Sequence, residues 1–150
     1  MMFSPDELQQ VVAAMQPIDR SPADARREPR VRIRTHVPIL VMAGGGVKTV
    51  QVQVRDISAS GMGLLRSEPM RRDEPFIVSL PSASQPESLV PLLVRVAYWE
   101  PLAEGLVSVG CKFVRFLRAD EVQNPARTLA YAATASTVLD CFPDEQRAIA

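Results

Sequence analysis

The chain has 150 residues, 47% hydrophobic and 23% charged, and its seventeen basic and seventeen acidic side chains cancel to a formal net charge of zero. That is length for one domain with a packed core and short extensions, and a composition that excludes a disordered chain. No apolar run approaches a bilayer span, and MMFSPDELQQ has acids where a signal peptide has bases, so the expectation is a cytoplasmic protein without membrane insertion.

Ser4-Pro5-Asp6-Glu7 predicts a helix start, with Ser4 as N-cap, Pro5 in the first turn and Glu7 at the capping-box position. Leu8, Val11, Val12 and Met15 then recur on one face, which must dock on something. From Pro17 to Pro29 the chain is polar and punctuated by proline, and is expected to be a loop.

From Arg30 the period becomes two. Val31, Ile33, Thr35, Val37, Ile39 and Val41 alternate with Arg30, Arg32, Arg34, His36 and Pro38, as in a strand with one buried face. AGGGVK is a turn, and Val50, Val52 and Val54 continue the alternation up to Asp56, predicting a hairpin. The runs MGLLRS, PFIVSL, LVPLLVRVAYWE and GLVSVGCKFVRFL follow, with PSASQPES a polar loop between two of them. About six strands without a long helix among them predict an antiparallel barrel or sandwich. Val107, Val109, Cys111 and Phe113 share one face of the last strand, so Cys111 belongs in the core.

Beyond Phe116 the pattern turns helical. Asn124-Pro125 reads as a cap with proline following, and ARTLAYAATASTVLDC places Leu129, Ala133 and Ser136 or Thr137 on one side, with Pro143 closing the helix. The expected architecture is all-β with a helix at each end: residues 1–24 a helix and linker, 25–117 the barrel, 118–150 a helical extension. That last helix can pack on its own barrel or on a second subunit, and the sequence leaves both open.

Cys111 and Cys141 form no CxxC or Cys/His grouping and His36 is the single histidine, so no zinc site or disulfide framework is expected and both thiols are read as buried. His36 lies on the wet face of its strand, away from any nucleophile, and phosphate-loop, dinucleotide and metalloprotease motifs are lacking. No catalytic group is predicted, and no cofactor.

The neutral total hides an asymmetry. Between Arg20 and His36 there are six arginines against Asp24 and Glu28, whereas the first nineteen residues hold three acids and no base. A positive field confined to one segment suits a small anionic ligand better than a long polyanion. Arg26 and Arg30 are spaced RxxxR, with Arg27 between them and Pro29 stiffening the approach to the strand. Guanidinium forks grip phosphates bidentately or meet guanine O6 and N7. A plain solvated loop is the other reading of that segment. Asp56-Ile57-Ser58-Ala59-Ser60-Gly61 has two readings as well: a ligand-binding turn with carboxylate, hydroxyl and a close-approach glycine, or a turn whose Asp56 and Ser58 bond their own backbone.

Taken together, RxxxR before the first strand, D-x-S-x-x-G followed by MGLL after the second, and VGCKF late in the chain resemble the PilZ domain family over about Ala25 to Leu117. The resemblance implies a six-stranded antiparallel β-barrel, followed by a helix, that binds the messenger cyclic di-GMP on its outside. It implies ligand roles for Arg26 and Arg30 and for Asp56, Ser58 and Gly61, with Arg27 an extra phosphate contact. Gly110 and Phe113 match a structural G-x-x-F feature, in which Cys111 stands where an aliphatic residue is usual. The implied partners are the dinucleotide and an unidentified effector protein. Two rivals remain: a PilZ-like adaptor that does not bind the dinucleotide, and a barrel binding nucleic acid through Arg30, Arg32, Arg34 and His36. The scarcity of aromatic side chains and the acidic termini weigh against the second.

Overall fold

The computed structural model describes residues 3–15, 17–20, 31–81 and 89–139. The elements are helix α1 (Pro5–Ala14), strands β1 (Pro17–Arg20), β2 (Val31–Ala43), β3 (Gly46–Ile57), β4 (Gly61–Arg66), β5 (Pro75–Pro81), β6 (Leu89–Ala103) and β7 (Leu106–Phe116), and helices α2 (Ala119–Gln123) and α3 (Pro125–Leu139). All the pairings are antiparallel, in the order β1-β2-β3-β4-β7-β6-β5, and Ile39↔Val78 with Leu40↔Ile77 joins β5 back to β2. The result is a closed six-stranded barrel with β1 added beside it. Closure removes the free edges that an open sheet would expose.

The alternation in β2 and β3 reappears as burial: Ile33, Val37, Ile39, Val41, Val52 and Val54 face the interior, while Arg34 and His36 face solvent. In β5 and β6 the alternation is absent because both faces are covered. Phe76 and Val78 point inward, and Ile77 and Leu93 point outward under Leu117, Leu129 and Ala132 of the carboxy-terminal segment. Strands buried on both sides read as continuous apolar runs, which is why PFIVSL and LVPLLVRV lack a period of two. Arg95 fastens this layer by donating from Nη2 to the Ala132 carbonyl at 3.1 Å.

Helix α1 begins as its sequence predicts. Ser4 Oγ accepts from the Glu7 N–H and Glu7 Oε1 accepts from the Ser4 N–H, each at 3.2 Å. Phe3, Val11, Val12 and Met15 join the same cluster as the inward-facing strand residues. The walls separate inside from outside, so a helix that shares the interior cluster must cover an open end of the barrel. Each of these fully buried apolar side chains contributes about 1.5–3 kcal/mol of transfer free energy.

Two expectations need correction. Pro17–Arg20 is a strand and not part of a loop: it pairs with the start of β2 through Pro17↔Ile33 and Arg20↔Val31, where β5 does not reach. A sheet edge needs partners for its backbone groups, and proline is tolerated as the first residue of an edge strand. The rest of that segment, with Arg26, Arg27 and Arg30, lies outside the described residues, as do residues 82–88 and Cys141. On α3 the buried side chains are Leu129 and Ala132, an i, i+3 pair, and Ala133 is exposed. Ser136 and Thr137 lie outside the described side chains. Pro125 opens α3 as expected, with the Asn124 carbonyl before it accepting from the Thr128 N–H at 3.1 Å; the extra helix α2 precedes it, and the Asn124 side-chain amide donates back to the Asp120 carbonyl at 3.4 Å.

Candidate functional site

Strand β3 is regular until Val54↔Leu64, and the next pair with β4 is Asp56↔Gly63. Arg55 is therefore an extra residue, a bulge of the kind that re-aims side chains. Its effect is that Arg55 and Asp56, neighbours in sequence, converge on one face. Arg55 Nε donates to Asp56 Oδ2 at 3.1 Å, and Arg55 Nη1 donates to the hydroxyl of Ser108, a fully buried residue of β7. Backbone register brings β2 alongside, with Arg32↔Asp56 and Val31↔Ile57. The start of β2 thus runs one strand spacing, about 4.8 Å, from Asp56 and Ile57.

A single cross-strand row continues from there: Asp56↔Gly63, Gly63↔Gly110, Gly110↔Tyr98. Two glycines in the middle let neighbouring side chains lie directly on the sheet. A Cβ on Gly63 would sit 2.8 Å from Asp56 Oδ1 and 2.9 Å from Arg55 Nη2, and one on Gly110 would overlap the Tyr98 ring. Tyr98 owes its place to a second bulge, at Ala97 between Val96↔Cys111 and Tyr98↔Gly110. Over this floor lies a pocket of about 130 Å³ lined by Asp56, Ser58, Ser60, Gly61, Tyr98 and Lys112, among others. Pockets that enclose a whole drug-sized ligand run to about 300–1,000 Å³, so this one seats a single ring system or phosphate.

The Ser58–Gly61 turn is closed on itself. The Ser58 N–H donates to the Gly61 carbonyl at 2.8 Å, and the Ser58 hydroxyl donates to the same oxygen at 3.3 Å. Gly61 is required for close approach, since a Cβ there would run into the Cys111 carbonyl of the neighbouring strand. The outward parts of the turn are also held: the Ala59 carbonyl accepts from the Phe3 N–H at 2.9 Å and the Ser60 carbonyl from the Phe113 N–H at 2.8 Å. The Phe3 ring meets Phe113 and Phe116 edge-on, with centroids 5.3 and 5.5 Å apart. The residue that precedes α1 is therefore bonded to the motif turn. Cys111 stays inside, its thiol pushed well above the ordinary range by burial and, secondarily, by the Asp56 charge.

A larger cleft, about 470 Å³, lies where β7, α2 and α3 meet. Most of its charge is spent internally. Arg115 grips Glu121 with both nitrogens at 2.8 and 2.6 Å, holding that carboxyl down to about 2, and Arg118 donates to Asp120 at 3.1 Å. The smaller pocket is the one lined by the sequence motif. Among the described residues no group of three or more His, Cys, Asp or Glu could hold a metal ion, and no helix is long and apolar enough to cross a membrane.

A family model described as PilZ domain matches residues 24–130. The chain belongs to the PilZ family. No curated protein matches it in sequence. Among solved structures it is similar to the MrkH–c-di-GMP complex of K. pneumonia, with 19% identity and a TM-score of 0.46 over 79% of this chain and 54% of that one. It is similar to the inhibitor of motility MotI/DgrA of Bacillus subtilis, with 9% identity and a TM-score of 0.47 over 76% and 52%. The PilZ domain of YcgR from Escherichia coli, with c-di-GMP, gives 14% identity and a TM-score of 0.41 over 76% and 98%. The chain spans about half the length of MrkH and of MotI/DgrA. Family membership rests on the matched residues.

Of the PilZ motif residues named from sequence, the structure gathers Asp56, Ser58 and Gly61 around one pocket. Sequence reasoning missed Arg55, Tyr98 and Lys112. Gly63 and Gly110 were the signal available: glycines inside strand patterns mark bulges and close approaches.

Proposed function

We propose that this PilZ chain is a receptor for cyclic di-GMP, which it binds through the arginines of the RxxxR segment (Arg26, Arg27 and Arg30) and through Asp56, Ser58 and Gly61. One observation supports this above the others: the register Val31↔Ile57 and Arg32↔Asp56 sets the start of β2, which follows the RxxxR segment directly in sequence, beside the first residues of the D-x-S-x-x-G motif. A cyclic dinucleotide offers two phosphates and two guanines. In this reading the RxxxR arginines supply guanidinium forks for the first, and the pocket supplies the Asp56 carboxylate and the Tyr98 ring for the second. Charge-assisted hydrogen bonds contribute about 1.5–3 kcal/mol each. Several of them, less the cost of ordering the segment, suffice for roughly micromolar binding at about −8 kcal/mol.

The proposed output is conformational. Phe3 touches the motif turn and β1 lies against the start of β2, so ligand that engages the arginine segment and the turn acts on both ends of the α1 segment. A shift of α1 changes the surface that an effector protein meets. In this reading residues 25–117 form the binding domain, 1–24 the moving segment and 118–150 the supporting extension, and the protein works in the cytoplasm without catalysis.

Titration calorimetry with cyclic di-GMP on the wild type and on Arg30→Ala tests the reading. Binding that the variant loses establishes the receptor. A second reading, an adaptor that does not bind the dinucleotide, is favoured by the turn itself, in which the Ser58 hydroxyl is already committed to Gly61. Wild-type protein that gives neither heat nor a change in melting temperature selects the adaptor.

A further inference from the structure

Asp56 is the one carboxylate in the pocket wall, and its neighbours determine which way it faces. Arg55 Nε holds Oδ2 at 3.1 Å, and Oδ1 lies over Gly63, where a Cβ would come within 2.8 Å of it. The guanidinium is anchored at its far end by the Ser108 hydroxyl and lies flat on the same glycine. Asp56 is mostly buried, its side chain 13% exposed, whereas that of Arg55 is 32% exposed. A carboxylate held at one oxygen by a guanidinium that is itself anchored at its other end has its rotation restricted, and its Oδ1 keeps lone pairs for a further donor. A fixed acceptor discriminates by donor geometry. The Watson–Crick edge of guanine carries two adjacent N–H donors, and that of adenine carries one donor beside a bare ring nitrogen, which a carboxylate repels.

We propose that Arg55 is a specificity-determining positioning residue: through the bulge at position 55 it orients Asp56 so that the site accepts a guanine edge and rejects adenine. This deepens the receptor reading and rests on it. Arg55 itself does not touch the ligand. It acts through Asp56, and Ser108 acts through Arg55.

The test is calorimetry of the full chain with cyclic di-GMP and with cyclic di-AMP, on the wild type, Arg55→Ala, Arg55→Lys and Ser108→Ala, with melting temperatures recorded for each. A correctly placed pair of hydrogen bonds to a base edge discriminates by about tenfold or more. Arg55→Ala is expected to lower the guanine-to-adenine affinity ratio by about that factor. Arg55→Lys restores little of it, because an ammonium cannot bridge Asp56 and Ser108 as a planar fork does. Ser108→Ala keeps the arginine and loosens its anchor, so it gives a smaller fall in the ratio and serves if Arg55→Ala does not fold. A residue that merely stabilises the fold lowers the melting temperature and weakens both ligands alike. An unchanged ratio in the folded variants of a discriminating wild type therefore overturns this inference alone. Wild-type protein that binds neither dinucleotide overturns the receptor reading and this inference with it.

Discussion

Gly63 and Gly110 face each other across the β4–β7 ladder, and neither has room for a methyl group. Asp56 and the Arg55 guanidinium lie over the first and the Tyr98 ring over the second, so two residues without side chains form the floor on which three side chains of the candidate site rest. The glycines of this barrel are not equivalent, and that difference is measurable.

Gly61→Ala drives a methyl group into the Cys111 carbonyl, a backbone atom that cannot rotate aside. Gly110→Ala meets the edge of Tyr98, which is 44% exposed and can swing away. Overpacking against rigid neighbours costs about 1–3 kcal/mol. Gly61→Ala is expected at the upper end of that range and Gly110→Ala near the lower end, with Gly110→Ala still weakening ligand binding because Tyr98 leaves the pocket wall. Urea denaturation of both variants checks the order, and a Gly110→Ala protein less stable than Gly61→Ala contradicts it.

Phe3 links the amino-terminal segment to the motif turn by one backbone bond and two aromatic contacts. Phe3→Ala empties a fully buried site and is expected to cost about 3–5 kcal/mol. Its local signature is faster amide exchange in α1, which the Phe3 ring helps to hold over the barrel end. Exchange rates in α1 that stay at the wild-type value would show that the helix docks without Phe3.

Glu121 is depressed from the usual carboxylate value to about 2, first by the Arg115 hydrogen bonds and next by the Arg118 backbone N–H. The folded form holds the proton less tightly than the unfolded chain, so stability from this group is fully present above the unfolded value and is lost as pH falls toward 2. The melting-temperature gap between wild type and Glu121→Gln is expected to be constant from neutral pH to about 4.5 and to close between there and about 2. A gap that widens on acidification would reverse the sign and refute the assignment.

Cys111 is buried, and its thiol is held protonated by burial and by Asp56. The thiolate is the reactive form. In a Cys141→Ser background, an aromatic disulfide reagent at neutral pH is expected to react only as fast as the protein unfolds. Rapid labelling of native protein would place the thiol at the surface.

What the residues alone determine is everything that depends on neighbours in sequence. The capping box of Ser4 and Glu7, the alternation of β2, the apolar runs of β5 and β6 and the spacing within D-x-S-x-x-G are local, and each is legible because a side chain's direction follows from its place in a helix or strand. Counting such strands left an antiparallel barrel or sandwich, and the family resemblance, read from motif order, implied the barrel. Short β1 was illegible because four residues beginning with Pro17 and holding one aliphatic side chain show no period. The bulges at Arg55 and Ala97 were illegible for a different reason: a bulge is defined against a partner strand, and no single strand contains its own register. Only the tertiary structure set Asp56, Gly63, Gly110 and Tyr98 in one row, because those residues come from four strands whose alignment is decided by packing across the barrel.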